Sequence, residues 1–341
     1  MPNDASARPI RILYYGGAWP TNIGNAFIDL GAIALLREAV PVAQIAFASE
    51  MPRWFLRHGR REAKRRIIAQ RLGFRLVLEQ IAGHQVISNA LDVASITRCD
   101  LVVFAGMAMC AEFIEINGPT ILALSNKGVP ILLLGTGALL YSDEERRSYG
   151  DFLRKANVIG MVARDEHSYR IFAEFMPHSF SGIDCAFFLP EAYIPFPVTL
   201  PPYVVAAFDS LPEQTLNLNG RLLIRAHHDC WWPLRREYTR TDKTFVSDIP
   251  FDYLTLYASA EEVHSDRIHA CVAALAYGRS AKFYYPSPRG FLFDAVGVAN
   301  IRDELVVLNM QLVQERKRAQ VEFVRKVITT HVAGNPIHGR F

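Results

Sequence analysis

The sequence predicts an α/β protein made of two Rossmann-like domains facing a central cleft, and three observations lead there. Short apolar runs alternate with helix-length segments along most of the 341 residues. The runs are apolar at consecutive positions, as in strands covered on both faces, and a proline-rich stretch interrupts the alternation midway. Arg11 to Tyr15 reads as a strand ending at Gly16 and Gly17, followed by a loop through Asn25 and a helix over 26–39. Runs at 44–48, 101–105, 131–135 and 158–163 continue a parallel sheet. A second series occupies 203–208, 222–224, 244–246, 262–264 and 281–285. Pro190, Pro195, Pro197, Pro201 and Pro202 mark the boundary, giving an N-terminal domain over 1–195 and a C-terminal domain over 196–310. Residues 311–341 form a final helix and tail, the helix running over 311–332 with Glu315, Arg316, Lys317 and Arg318 on one side. Ligands of such sheets bind beyond the carboxyl ends of the strands.

Composition bounds the function. At 50% hydrophobic content, 341 residues are too many for one modest core and suit two domains. Met1 to Pro9 lacks the pattern of a secretory signal, and no apolar run approaches the roughly 18 residues of a membrane span, so a cytoplasmic location is expected. Five scattered cysteines read as reduced core thiols, and no structural metal is expected. The formal charge of +3 conceals a basic helical insertion at 53–81, where nine cations between Arg53 and Arg75 face the single acid Glu62. Interleaved apolar residues make this segment amphipathic, fit either for an anionic membrane surface at the inner face of the cytoplasmic membrane or for a solvated edge with snorkelling arginines. No nucleic-acid motif is present, so nucleic acid is not an expected partner.

The chemistry concentrates at His264 to Gly278, where a polar cluster opens an otherwise apolar helix. Ser265 or Asp266 is the expected N-cap and Gly278 the stop. From Ile268 onward only His269 is polar enough to carry charge, so the helix is buried and Arg267 and His269 sit at its first turn. A buried arginine is costly without an anion, and helix dipole, guanidinium and imidazole converge there on one negatively charged ligand. The first βα loop, with Gly17, Asn22, Gly24 and Asn25, lacks both the dinucleotide and the P-loop spacing. Its glycines and amides suit either a phosphate or sugar cradle or a structural turn. In His227-His228-Asp229-Cys230, neighbours on a strand point to opposite faces, which favours a structural or rim role over a metal site; Trp231 and Trp232 read as packing or as a sugar platform.

These motifs together resemble the polysaccharide pyruvyl transferases. The resemblance rests on Asn22-Ile23-Gly24-Asn25 after the first strand, Arg164-Asp165-Glu166-His167-Ser168 after a mid-chain strand, Asp184-Cys185-Ala186, and Arg267-Ile268-His269-Ala270. Asn25 stands where the family pattern has Asp, and Ala105-Gly106-Met107-Ala108 replaces a glycine triplet. The resemblance implies phosphoenolpyruvate as donor, with no further cofactor, and a sugar or lipid-linked oligosaccharide as acceptor. It implies that Arg267, Arg164 and Arg289 clamp the carboxylate and phosphate, with Ser265 and the first loop nearby. His269 is then the acid that protonates the methylene carbon, and Asp266, or Glu112 on the facing domain, the acceptor of the hydroxyl proton. For Arg164, an ion pair with Asp165 or Glu166 is the competing role. Two other functions fit the same GT-B-like shape: a nucleotide-sugar glycosyltransferase, and a catalytically inactive anion- or glycan-binding homologue.

Overall fold

The computed structural model describes residues 8–17, 19, 22–50, 93–106, 108–228 and 243–333, without the side chains of Ala111, Glu112 and Glu115. The basic insertion at 53–81 with its expected membrane contact, and the Trp231-Trp232 pair, lie outside the described residues.

Two parallel sheets organise the chain. The first holds β1 (Arg11–Gly16), β2 (Gln44–Ser49), β3 (Leu101–Ala105), β4 (Ile131–Thr136), β5 (Val158–Ala163) and β6 (Ser179–Ser181), in the order β2-β1-β3-β4-β5-β6. The second holds β7 (Tyr203–Ala207), β8 (Leu222–Ala226), β9 (Thr244–Phe245), β10 (Glu262–Ser265) and β11 (Ser280–Phe283), in the order β11-β10-β7-β8-β9. Every residue of β3, β4, β5 and β7 is buried, as consecutive apolar runs in doubly covered strands require. Sequence reading contains no strand at 179–181, because Ser-Phe-Ser has no apolar run; β6 exists through its pairing with β5 at the sheet edge.

The covering helices are α1 (Gly24–Ala39), α2 (Ala111–Asn126), α3 (Asp143–Lys155), α4 (Glu166–Phe172), α5 (Pro250–Ser259), α6 (Ile268–Ala276) and α7 (Met310–Ile328). One apolar cluster runs through α1, the 185–189 segment, α5 and α6, so the two halves share a core across the cleft. In α6, His269 to Ala276 are all buried, and Gly278 ends the element in the left-handed region at φ 75°. No helix among the described residues is long and apolar enough to cross a membrane.

Helix α7 leaves the second half and lies back on the first. Gln320 Oε1 accepts the Ile183 N–H at 2.8 Å, and Arg325 Nε donates to the Ala39 carbonyl at 3.2 Å. Lys317, grouped by sequence with its charged neighbours on one side of the helix, is instead buried: its ammonium donates to both Glu191 oxygens at 2.9 Å. Helical geometry places residue 317 in line with the buried Val313, Gln320 and Val324.

Candidate active site

In the second sheet the strand order reverses between β7 and β10, and the loops after these two strands flank the crevice where ligands of doubly wound sheets sit. Asp266 joins the loops. Its carboxylate accepts the N–H groups of Asp209, Ser210 and Leu211 at 3.1, 2.6 and 2.7 Å. Ser265 Oγ donates to the Ala207 carbonyl at 2.7 Å and accepts the Arg267 N–H at 2.8 Å. Both side chains are therefore engaged inside the fold. Ser265 lies outside the lining of the cavity in this crevice, whereas Asp266 lines it with a carboxylate that already accepts three loop N–H groups. Neither caps α6, whose N-cap is Arg267 in extended conformation.

A cavity of about 210 Å³ opens there, lined by Arg267, His269, Arg289, His228, Asn22 and others. It lies below the size range of drug-sized sites and suits a small polar ligand. Arg267 is held from behind by Asp209, whose Oδ2 accepts its Nε–H at 2.8 Å and the His228 N–H at 3.0 Å, while Oδ1 lies 3.0 Å from His227 Nδ1. Burial pushes the Asp209 carboxyl up, but the His227 hydrogen bond and the Arg267 charge outweigh it and bring the carboxyl down to about 2. A carboxyl depressed on folding stabilises the native state above its unfolded value, and that contribution disappears as pH falls through the folded one. Asp209→Asn is expected to lower unfolding free energy at pH 7 by about 2 kcal/mol, with the gap to the parent narrowing below pH 4. Urea melts at stepped pH check this; a gap independent of pH would refute it.

His269 reaches across to the first half. Its Nε2 faces Asp184 Oδ2 at 3.5 Å, both atoms are buried, and neither has a hydrogen-bond partner. The other Asp184 oxygen accepts the Ala186 N–H at 2.9 Å. Burial raises the Asp184 carboxyl, yet the His269 and Arg164 charges prevail and hold it below the usual range, so it is an anion. Gly24 makes the approach possible: a Cβ there would stand 2.9 Å from the His269 Cβ.

Arg164 follows β5 and is fully buried, with all three guanidinium nitrogens unpartnered. Asp165 Oδ2 is 3.7 Å away, but that carboxylate already accepts from Ser168 N–H at 2.7 Å, Ser168 Oγ at 2.9 Å and Tyr141 at 3.1 Å. Gly137 packs on the guanidinium so tightly that a Cβ would lie 2.3 Å from its carbon. Arg289 enters from the other half with a buried, unpartnered Nε, and burial together with the Arg164 charge pushes it down to about 10. Arg164 with no hydrogen bond to its guanidinium, and Arg289 with a bare Nε, together define an anion-shaped demand.

The first loop contributes less than expected. Gly17 N–H is taken by Asp29, which also accepts from Tyr14 at 2.7 Å and Trp19 at 2.6 Å, and Gly17 lies outside the lining of the cavity. Asn22 does line the cavity, and its Oδ1 accepts the Gly24 N–H at 2.9 Å. Gly24 serves as spacing for His269, and Asn25 sits in the first turn of α1, outside the lining of the cavity. Glu112 lies in the first turn of α2 with its side chain outside the described residues. Sequence reading missed Asp184, Asp209 and His228 as site residues. Asp184 was visible in the Asp-x-Ala segment, Asp209 by its place at a strand end, and His228 in a string set aside for its poor metal spacing.

The same shape occurs in other proteins. UDP-N-acetylglucosamine 2-epimerase from Rickettsia bellii superposes with a TM-score of 0.53 at 14% identity, covering 96% of this chain and 98% of that one. UDP-GlcNAc 2-epimerase from Neisseria meningitidis bound to UDP-GlcNAc gives 0.50 at 12% identity, over 96% and 100%. At these identities the likeness is one of fold, the GT-B arrangement of two Rossmann-like halves. No curated protein matches the chain. Residues 22–281, which carry the end of the first loop, Arg164, Asp184, Arg267 and His269, match the polysaccharide pyruvyl transferases, and the chain belongs to that family.

Proposed function

We propose that the protein transfers the pyruvyl group of phosphoenolpyruvate to a pair of hydroxyls on a glycan precursor, forming a ketal and releasing phosphate. Family membership supports a transferase role in glycan biosynthesis. The observation that carries the donor is Arg164, a wholly buried guanidinium with no hydrogen-bond partner, beside a second buried arginine that is also incompletely paired. A ligand bearing both a carboxylate and a phosphate supplies what these groups lack.

In this reading Arg164, Arg289 and Arg267 hold the two anionic ends. His269, backed by the Asp184 carboxylate, gives a proton to the methylene carbon, which becomes a methyl group and leaves oxocarbenium character at the neighbouring carbon. A sugar hydroxyl adds to that carbon and returns a proton to the imidazole; phosphate then departs with the C–O bonding pair, and the second hydroxyl closes the ketal as its proton passes to the departing phosphate.

Two measurements test the proposal. Phosphoenolpyruvate at 100 times its Kd should stabilise the protein by about 2.7 kcal/mol, visible as a rise in Tm. Incubation with phosphoenolpyruvate and a panel of lipid-linked or nitrophenyl sugars should yield a product heavier by one pyruvyl unit in the mass spectrometer. Stabilisation by a sugar nucleotide in place of phosphoenolpyruvate, or by neither, overturns the reading.

A further inference from the structure

We propose that His228 is a ligand-contacting residue of this cavity, an uncharged imidazole whose Nδ1–H donates a hydrogen bond to an anionic oxygen of the donor. The inference rests on the reading of the cavity as an oxyanion site and adds a contact that does not depend on charge.

The backbone of His228 is held at two points and its ring at three. The backbone N–H of His228 donates to Asp209 Oδ2 at 3.0 Å, and its carbonyl accepts the Ile23 N–H of the opposite half at 3.3 Å. Phe27 stands edge-on to the imidazole at 5.8 Å and 90°, with Tyr253 at 5.2 Å. Nε2 makes a short hydrogen bond with the Tyr257 hydroxyl.

Hydrogen-bond accounting then selects the tautomer. Tyr257 is fully buried, and burial first, then Tyr253 and Asp209, push its hydroxyl well above the usual range, so it keeps its proton. A buried phenol whose hydroxyl meets one ring nitrogen donates to it, which makes Nε2 the acceptor and leaves the ring's single N–H on Nδ1. That atom is buried without a partner, in a residue that lines the cavity beside Arg267, His269 and Arg289. Burial drives the imidazole down to about 3; Asp209 opposes this only in part, and the charges of Arg267 and His269 add to the fall. The ring therefore stays neutral while the arginines carry the charge. A neutral donor in a fixed place sets direction, which point charges alone do not.

Nitrogen-15 NMR of histidine-labelled protein, with His228 assigned by its loss in His228→Phe, should show a protonated Nδ1 and a bare Nε2. A bare Nδ1 overturns the proposal. Calorimetric titration with phosphoenolpyruvate should give an affinity on the order of tenfold or more weaker in His228→Phe. His228→Asn keeps an N–H near the Nδ1 position and should recover most of that loss. Tyr257→Phe, which leaves the imidazole in place but frees its tautomer, should fall between and serves if the His228→Phe protein does not fold. Titrations with inorganic phosphate and with pyruvate tell which end of the donor is touched, since only that fragment weakens. Equal affinities in all variants, equal loss in the Phe and Asn variants, or no binding of any of the three anions by the parent protein overturns the inference. Phosphoenolpyruvate binding that His228→Phe weakens, without any pyruvyl product, defeats the transfer reading and leaves this contact standing.

Discussion

Arg164→Met is expected to abolish phosphoenolpyruvate binding while leaving the protein as stable as before or more so. The two outcomes have one cause. A guanidinium that is fully buried and makes no hydrogen bond costs the fold desolvation energy that the Asp165 carboxylate at 3.7 Å and the Asp184 charge recover only in part. Methionine fills similar volume without that penalty. Asp165 loses an ion-pair partner at 3.7 Å but keeps three hydrogen bonds from Ser168 and Tyr141. With ligand bound the balance inverts: removing one partner of a buried, charge-paired contact costs about 2–5 kcal/mol, or roughly 30- to 3000-fold in affinity. Calorimetric titration and a thermal melt on the same sample decide it. A fall in Tm of several degrees with binding intact would show that Arg164 serves the fold.

His269→Gln should bind phosphoenolpyruvate near the parent affinity and lose turnover by about 10²–10⁴, the range typical of a positioned proton donor. Glutamine keeps polar atoms near the ring nitrogens but cannot deliver a proton. Asp184→Asn should follow it, since the amide retains the contact and removes the anion that backs the imidazole. Full turnover in the glutamine variant assigns the proton to another group; a parallel loss of binding in both variants assigns His269 to donor recognition. Single-turnover product formation beside equilibrium binding separates these outcomes.

The fold was largely legible because its strands are buried on both faces, and consecutive apolar residues in runs this short suit covered strands better than helices. Arg267 and His269 were legible for the complementary reason: polar groups heading a helix that is otherwise wholly apolar must face something. Asp266 and Ser265 share that stretch and read as reactive, yet three loop N–H groups and a carbonyl claim them. Spacing cannot reveal such partners, because they come from a strand more than fifty residues earlier. Asp209 and Asp184 escaped for the same reason. Their chemistry comes from what the topology sets against them: the crossing from β7 to β10 for one, the closure of the two halves for the other.

Among the described residues the chain passes between its two halves twice, once in the segment between Ala192 and Tyr203 and again after Val306, where α7 settles on the first half. Joined by two crossings and by one apolar core common to both, the halves are fixed against each other in a single register, and Asp184 and His269 meet across the seam because of it.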